Sequence, residues 1–425
     1  MVAFEGLFGP VLGIFASIAR YWWVWLAPVS FSIFVASWVS YRQNRYKQAI
    51  AWTILELKMP REVLKSPKAM EQFFAALAAL RNVSGDFMEL YWDGEVTLWF
   101  SLEIISLGGD IHFYIRTPSK HKKVLMANLY ANYSALEIEE VEDYMNRFPR
   151  TLSGLHGKGM DLWGTELRLG KDDAYPIHTY VDYEEVAEER TLDPIAAILE
   201  VFSKIHRQEN VFVQILIRPA GPDARIKGEA FVKKLKSKDA KTMSSPFGDY
   251  ERIPIRTPGE TEVLEAVERN ISKAPFETLI RYIYIADKSV YDINFAKRGT
   301  LSAFNQYASQ DLNYFTHNYA IYTQVKWLNF PYFFPKLRAG ERKARMLKNF
   351  RIRKMPEETL IGNVMHVSFL HAGLRQRCFI LNSEELATLF HPPTTFVLTS
   401  PLIPRVESKK MGPTAGLPIF KEDSS

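Results

Sequence analysis

The stretch EVTLWFSLEIISLGGDIHFYIRTP (95–118) decides how this chain is read. Two runs rich in apolar, β-branched and aromatic residues, 95–107 and 110–118, are separated by Gly108 and Gly109 alone. A two-residue link between antiparallel strands needs a positive φ, which glycine adopts without steric cost, so the spacing predicts a β-hairpin. Working outward, AIAWTILELKMP (49–60) alternates as a strand does, and Ser66-Pro67 opens a helix over KAMEQFFAALAALR (68–81). On the other side Thr117-Pro118-Ser119 opens a helix over KHKKVLMANLYANY (120–133), and ALEIEEVED (135–143) closes with alternation. The order β-α-β-β-α-β across 45–150 is the ferredoxin-like pattern, a four-stranded antiparallel sheet with two helices on one face.

A second α+β domain is expected over 160–325. TELRLGK (165–171) and YPIHTYV (175–181) read as strands, Asp193-Pro194 starts a helix, and VFVQILIRP (211–219) is a further strand. A polar, Lys-rich insertion occupies 220–256. Thr257-Pro258-Gly259-Glu260 then forms a capping box that starts a helix ahead of the strand TLIRYIYIAD (278–287). Both regions hold a Pro-started helix leading into an apolar strand, which suggests a diverged duplicate. The class expected is therefore α+β.

The N-terminus adds a membrane expectation. Residues 21–40 are twenty without a charge, and at about 1.5 Å per residue they would reach roughly 30 Å, the depth of a bilayer core. Trp22, Trp23 and Trp25 crowd one end, while Trp38 and Tyr41 mark the other, as interfacial aromatic belts do. A transmembrane helix over 21–41 is thus expected, retained rather than cleaved, because only Arg20 supplies a base before it and no A-x-A follows. Residues 1–20 are apolar but Gly/Pro-broken, which suits the bilayer interface. Seven bases within 42–68 face only Glu56 and Glu62. By the positive-inside rule the chain would be a single-pass protein of the inner membrane, its bulk cytoplasmic.

Composition is that of a globular protein, 47% hydrophobic and 24% charged with a net charge of +5. The lone Cys378 excludes a disulfide framework and a Cys-rich zinc site. GLHGKGM (154–160) has neither the spacing of a phosphate-binding loop nor the Ser or Thr after its lysine. His366 and His371, five apart, would not share a helix face as paired zinc ligands do, and no G-x-S-x-G occurs. Arg375 and Arg377 flank Cys378 and would lower its pKa, but a small buried residue is the commoner role of a free cysteine. No catalytic constellation emerges, so the chain is expected to be non-enzymatic and to need no cofactor.

From 327 to 355 the character shifts to an aromatic and basic segment. Lys336, Arg338, Arg342, Lys343, Arg345, Lys348, Arg351, Arg353 and Lys354 face the single acid Glu341. Such a run would contact nucleic-acid phosphates or anionic lipid, or simply be a solvated helix with a thin apolar stripe of Leu337, Met346, Leu347 and Phe350. A closing strand and helix follow over 360–391. Within LNSEELATLFHPP (381–393), Asn382 or Ser383 would cap a helix, Glu384 and Glu385 would complement its positive end, and Pro392 would force His391 out of it. The Pro-rich tail, 392–425, reads as a linker.

Taken together, the Trp-rich N-terminus, PREVLKSPKAMEQFF (60–74), WFSLEIISLGGDIHFYIRTP (99–118), IEEVEDY (138–144), DLWGTELRLGKDDAYPIHTY (161–180) and TPGETEVLEAVERNISK (257–273) resemble an uncharacterised membrane-anchored family associated with bacterial type IV secretion or conjugation-like systems. In similar, longer proteins this region looks like the N-terminal part of a DNA-translocating coupling ATPase, where a segment like LNSEELATL and a stretch like PRVESKK (404–410) lead into the motor. No Walker motif occurs in the 425 residues, so motor activity is not carried over. The resemblance implies an adaptor or assembly component acting with an ATPase supplied in trans. The partners expected are a membrane, that ATPase or other secretion subunits, with DNA and a second copy of the chain as further candidates.

Overall fold

The expected hairpin forms. In a computed structural model of the protein, Gly108 and Gly109 take φ of 63° and 102°, and Leu107 pairs with Asp110 across them. The structure describes residues 20, 22–60, 65–82, 86–186, 193–238, 242–245, 248–251, 256–325, 334–356, 377–393 and 405–406. The expectations for 1–19, for the aromatic stretch 327–333, for His366 and His371, and for most of the tail lie outside these residues. The chain divides into two compact units. One comprises Met1–Ile50, Asn82–Thr97 and Pro356–Ser368, the other Ala51–Arg81, Leu98–Met355 and Phe369–Ser425.

The first unit is built on helix α1 (Trp22–Ala49) and the turn Glu89–Asp93. The Trp38 indole donates to the Tyr91 carbonyl at 2.9 Å. The Arg42 guanidinium lies 5.8 Å and 5.9 Å from the ring centres of Trp38 and Trp92, distances at which a cation is attracted by the ring faces. Gly94, at φ 68°, passes so close to Arg42 that a Cβ would sit 2.5 Å from its carbonyl carbon, so only glycine fits there.

This unit corrects the membrane expectation. Among the described residues no helix is long and apolar enough to cross a membrane, so a transmembrane helix over 21–41 is not supported. The uncharged run is diluted by tryptophans, Pro28 and serines; the Ser32 and Ser37 hydroxyls donate back to the carbonyls of Pro28 and Ile33. Its C-terminal part is committed to protein through Trp38 and Arg42.

The second unit contains, in chain order, β1 (Trp52–Pro60), α2 (Lys68–Ala78), β2 (Phe100–Leu107), β3 (Asp110–Pro118), α3 (Lys122–Asn132), β4 (Glu137–Val141), α4 (Leu152–Gly157), β5 (Met160–Leu169), α5 (Tyr180–Val186), α6 (Ala196–Ser203) and β6 (Glu209–Pro219). There follow α7 (Pro222–Lys238), the small hairpin β7 (Thr242–Ser245) and β8 (Gly248–Glu251), α8 (Pro258–Ser272), β9 (Pro275–Asp287), α9 (Thr300–Phe304), β10 (Phe315–His317), α10 (Pro335–Arg351), β11 (Phe379–Asn382), α11 (Ser383–Leu389) and β12 (Arg405–Val406). The insertion 220–256 is thus ordered in part, as α7 and the small hairpin.

Ten of these strands form one sheet in the order β10-β5-β9-β6-β2-β3-β1-β12, with β4 also on β1 and β11 also on β9. All its pairings are antiparallel except β1 with β12. This corrects the expected pair of separate domains, a ferredoxin-like one followed by a second α+β one. β2 is buried along nearly its whole length and pairs with β6 over eight residues, so the strands of 45–150 and 160–325 share one mixed α/β body with a large antiparallel sheet. An edge as apolar as FSLEIISL would expose unpaired backbone and side chains together, and pairing with β6 removes both.

Both faces of the sheet are covered. On one, Leu55, Leu57, Ile104, Phe113, Val213 and Ile280 pack against Met70, Phe73, Phe74 and Leu77 of α2, against α3 and α6, and against α11. The α2 residues sit at helical spacings of three and four, which is why KAMEQFF turns one apolar face inward. On the other, Ile105, Phe212, Ile283 and Ile285 pack against Met346, Leu347 and Phe350 of α10 and against Tyr144, Met145 and Phe148. The stretch 175–181 is not the strand expected. Its amides at Ile177 and Tyr180 are taken by the side chains of Glu385 and Thr388, and α5 starts at Tyr180.

Candidate functional site

The sheet face under α10 is not uniformly apolar. Cross-strand register places Tyr114, Glu103, Gln214, Arg281 and Glu166 side by side on β3, β2, β6, β9 and β5. From Glu166 to Glu103 the row is hydrogen-bonded. Arg281 donates through Nε to Glu166 at 2.9 Å and through Nη1 to the Gln214 Oε1 at 3.2 Å; Gln214 Nε2 donates to Glu103 at 3.1 Å. Ser101 and Tyr144 donate to the Glu103 carboxylate at 2.6 Å and 2.8 Å.

Arg353 closes this cluster from above. It follows the last turn of α10 in the left-handed region, at φ 50°, where its N–H reaches the Phe350 carbonyl at 3.0 Å. Glycine is the usual occupant of that C-terminal position. Here arginine holds it because its guanidinium grips Glu103 with two bonds of 3.0 Å and 3.2 Å, and bonds Asp143 besides. Glu103 and Arg353 side chains are both 0% exposed. Burial alone would raise the Glu103 carboxyl; the Arg353 charge and the donors around it instead hold it below the usual carboxylate range. Tyr144 is pushed well above its ordinary value, first by burial and then by the Glu103 charge. The arrangement can lock α10 onto the sheet, and in it neither Glu103 nor Arg353 is presented to solvent.

The basic segment is helical, as α10, and the structure distributes its nine bases unevenly. Arg338, Arg342 and Arg353 are buried. Arg342 donates to the Tyr322 carbonyl at 2.9 Å, Lys343 pairs with Asp161 at 2.7 Å, and Arg351 donates to the carbonyls of Met145 and Phe148 at 2.7 Å and 3.2 Å. Arg345, Lys343, Arg351 and Lys354 are half-buried, and Lys336 and Lys348 are exposed. Met346, Leu347 and Phe350 form the inward stripe, whereas Leu337 points out. Arg342, Lys343, Arg351 and Arg353, four of the nine bases that looked available for phosphates, therefore face this protein's own backbone and carboxylates.

A second buried cluster lies on the opposite face of the same unit, around 379–393. β11 pairs with β9, and Asn382 caps α11 in a reciprocal box: its side chain accepts from the Glu385 amide at 2.8 Å, and Glu385 accepts from the Asn382 amide at 2.8 Å. Glu385 also accepts from the Ile177 amide at 3.0 Å, and burial pushes its carboxyl up to about 8. Glu384 accepts from the Thr179 hydroxyl at 2.6 Å and pairs with Lys273 at 2.9 Å, which itself pairs with Glu71. His391, far from marking an exposed exit, is 1% exposed, with one ring nitrogen 2.9 Å from Asp193 and the other 2.7 Å from the Ala387 carbonyl.

Other sequence candidates separate from these clusters. Burial pushes the Cys378 thiol up to about 12, the opposite of activation by its flanking arginines. Among the described residues no group of three His, Cys, Asp or Glu could hold a metal ion. In the first unit Trp23 and Tyr41 are exposed and Trp38 is half-buried against the turn; the side chains of Trp22 and Trp25 are outside the described set. Sequence reasoning passed over Glu103, Gln214, Arg281 and Glu166. Part of their signal was present: Gln214 in VFVQILI is a single polar residue inside an apolar run, Arg281 in LIRYIYI is its single charge, and Glu103 is the single charge of FSLEIISL, whereas Glu166 stands beside Thr165 and near Arg168 and carries no such mark.

Comparison with curated proteins finds no match. Residues 45–333 match the family described as a domain of unknown function (DUF8128), and the chain belongs to that family.

Proposed function

We propose that this protein is a non-enzymatic adaptor or assembly component of a translocation complex of the type IV secretion kind, working with an ATPase supplied in trans. The observation that carries the reading is the seating of 379–393. This is the segment whose counterpart, in the longer proteins the chain resembles, leads into the motor. It is built into the body by a strand, a capping box and three side-chain links, to Lys273, Thr179 and Asp193. A part that positions a separate motor needs a connection that does not yield, and a segment held by buried polar bonds supplies one.

The chemistry of the body agrees with a positioning role. Its most charged features are consumed in internal pairs that fix α10 and α11 to the sheet. The alternative, nucleic-acid binding through the basic segment, would rest on Lys336 and Lys348, the exposed bases of α10. Affinity purification of the tagged chain from its native host under mild conditions tests the proposal. Recovery of a translocation ATPase in stoichiometric amounts is the expected result, and repeated recovery of the chain with no such partner refutes it.

A further inference from the structure

Two arginines stand over one carboxylate. Glu103 takes its bonds from Ser101, Tyr144, Gln214 and Arg353. Arg116 of β3 lies across from Ser101 of β2, and Tyr114 lies across from Glu103, so Arg116 occupies the neighbouring rung on the same face of the sheet. Such diagonal neighbours lie about 7–8 Å apart, within reach of a long side chain. Arg116 nonetheless rests elsewhere. Its guanidinium lies 4.0 Å from the ring centre of Trp52, and its Nη1 is buried without a hydrogen-bond partner. Burial first, and the Arg353 charge second, push it down to about 10, while the charges of Glu103 and Asp143 pull the other way.

We infer that Arg116 is the stand-in counter-charge of Glu103, and that the two arginines make the end of α10 a latch with two positions. In the closed position Arg353 grips Glu103 and Arg116 waits on Trp52. In the open position the last turn of α10 lifts and Arg116 crosses to Glu103. A buried ion pair ordinarily resists parting because one charge is stranded, and a second arginine within reach lowers that cost. Three features favour the exchange. A buried donor without an acceptor gains by reaching one. The Arg353 backbone, at φ 50°, is relieved when the turn opens. The two seats are also linked: Trp99 donates to the Arg353 carbonyl at 2.9 Å, and its ring lies 4.9 Å from that of Trp52. The closed position is the more stable, because opening parts Arg353 from Asp143 and Arg116 from Trp52. This inference is independent of the assembly reading.

Native-state amide exchange on the full chain tests it. The amides of Ile352, Arg353 and Lys354 are bonded to the carbonyls of Lys348, Phe350 and Asn349, so their exchange reports opening of the turn. Arg116→Met removes the cation that serves the open position, and should slow exchange at these amides by about fivefold or more. Loss of an ordinary stabilising residue would speed it instead. In a Glu103→Gln background the slowing should vanish, since no charge then needs a stand-in. Arg116→Gln, a second uncharged replacement, should behave as Arg116→Met does. Exchange that is unchanged or faster in both variants overturns the inference. So does slowing of the same size in the Glu103→Gln background, which would assign it to relief of repulsion between Arg116 and Arg353. Failure of both variants to fold would make Arg116 a fixed support of the closed position and overturn it equally.

Discussion

Arg353→Met is the sharpest probe of the cluster beneath α10. Methionine preserves side-chain length and bears the same left-handed backbone cost at φ 50°, so the substitution isolates the charge. It leaves Glu103 buried at 0% exposure with donors from Ser101, Tyr144 and Gln214 but without its hydrogen-bonded counter-charge, Arg116 being the cation that remains in its field. Breaking one side of a buried ion pair costs about 3–5 kcal/mol. The three remaining donors, and the 30% exposure of Asp143, which water can reach, put the expected loss at the lower end, about 3 kcal/mol. Adding Glu103→Gln to Arg353→Met removes the stranded charge, and the pair should be less destabilising than the sum of the singles by about 2 kcal/mol. Urea denaturation followed by tryptophan fluorescence measures this, with Trp99 as a local reporter because its indole donates to the Arg353 carbonyl at 2.9 Å. The pH dependence supplies a second arm. Because the folded Glu103 carboxyl lies below its ordinary value of 4.5, its stabilisation is present above that value and is lost as pH falls through the folded one. Glu103→Gln should flatten that acid limb. A single Arg353→Met loss under about 1 kcal/mol, or strictly additive singles, would refute the assignment of Arg353 as the counter-charge.

Two further outcomes follow from the same geometry. Glu385 has the opposite sign to Glu103: its carboxyl is raised from 4.5 to about 8, so its contribution is full below 4.5 and declines as pH climbs through 8. Thermal denaturation between pH 5 and pH 9 should show that decline, and Glu385→Gln should reduce it; an unchanged slope contradicts the buried placement. Within α10, Arg342→Glu should destabilise by about 3 kcal/mol or more, because it sets an unpaired acid against the Tyr322 carbonyl. Lys348→Glu, on the exposed side, should leave the midpoint within about 0.5 kcal/mol, and equal effects at the two positions would contradict the burial pattern.

Local order was largely legible in the sequence. The Gly108-Gly109 turn, the capping box at Thr257 and Glu260, and the apolar face of 68–78 follow from rules spanning a few residues, and all three form. The continuous sheet was not legible, because the pairing of β2 with β6 joins residues about a hundred positions apart and leaves no local mark beyond the apolarity of both strands. The candidate site was half legible. Its bases and the 381–393 segment stood out, but a run of charges reads as surface, and nothing near Arg342 or Arg353 announces that Tyr322, Glu103 and Asp143 receive them. Tyr21–Ser40 shows the reverse error. Its lack of charge was weighed more heavily than its tryptophans, proline and serines, and its engagement with the turn at 89–93 lies outside the reach of a window along the chain.

The seating of 379–393 also orders events during synthesis. Arg353 meets Glu103 across 250 residues, and Glu384 meets Thr179 across 205. Loop-closure entropy makes such distant contacts late ones. A ribosome-bound chain therefore carries Glu103, Lys273 and Asp193 without their final partners until the codons for 353–391 have been read. A transcript cut short before that point would leave stranded polar groups and the first four residues of β9, Pro275–Thr278, without their partner β11, the kind of exposed edge that makes incomplete chains prone to aggregation. The closing segment is thus the part that completes the polar pairing of the body begun by Glu103, Thr179 and Asp193.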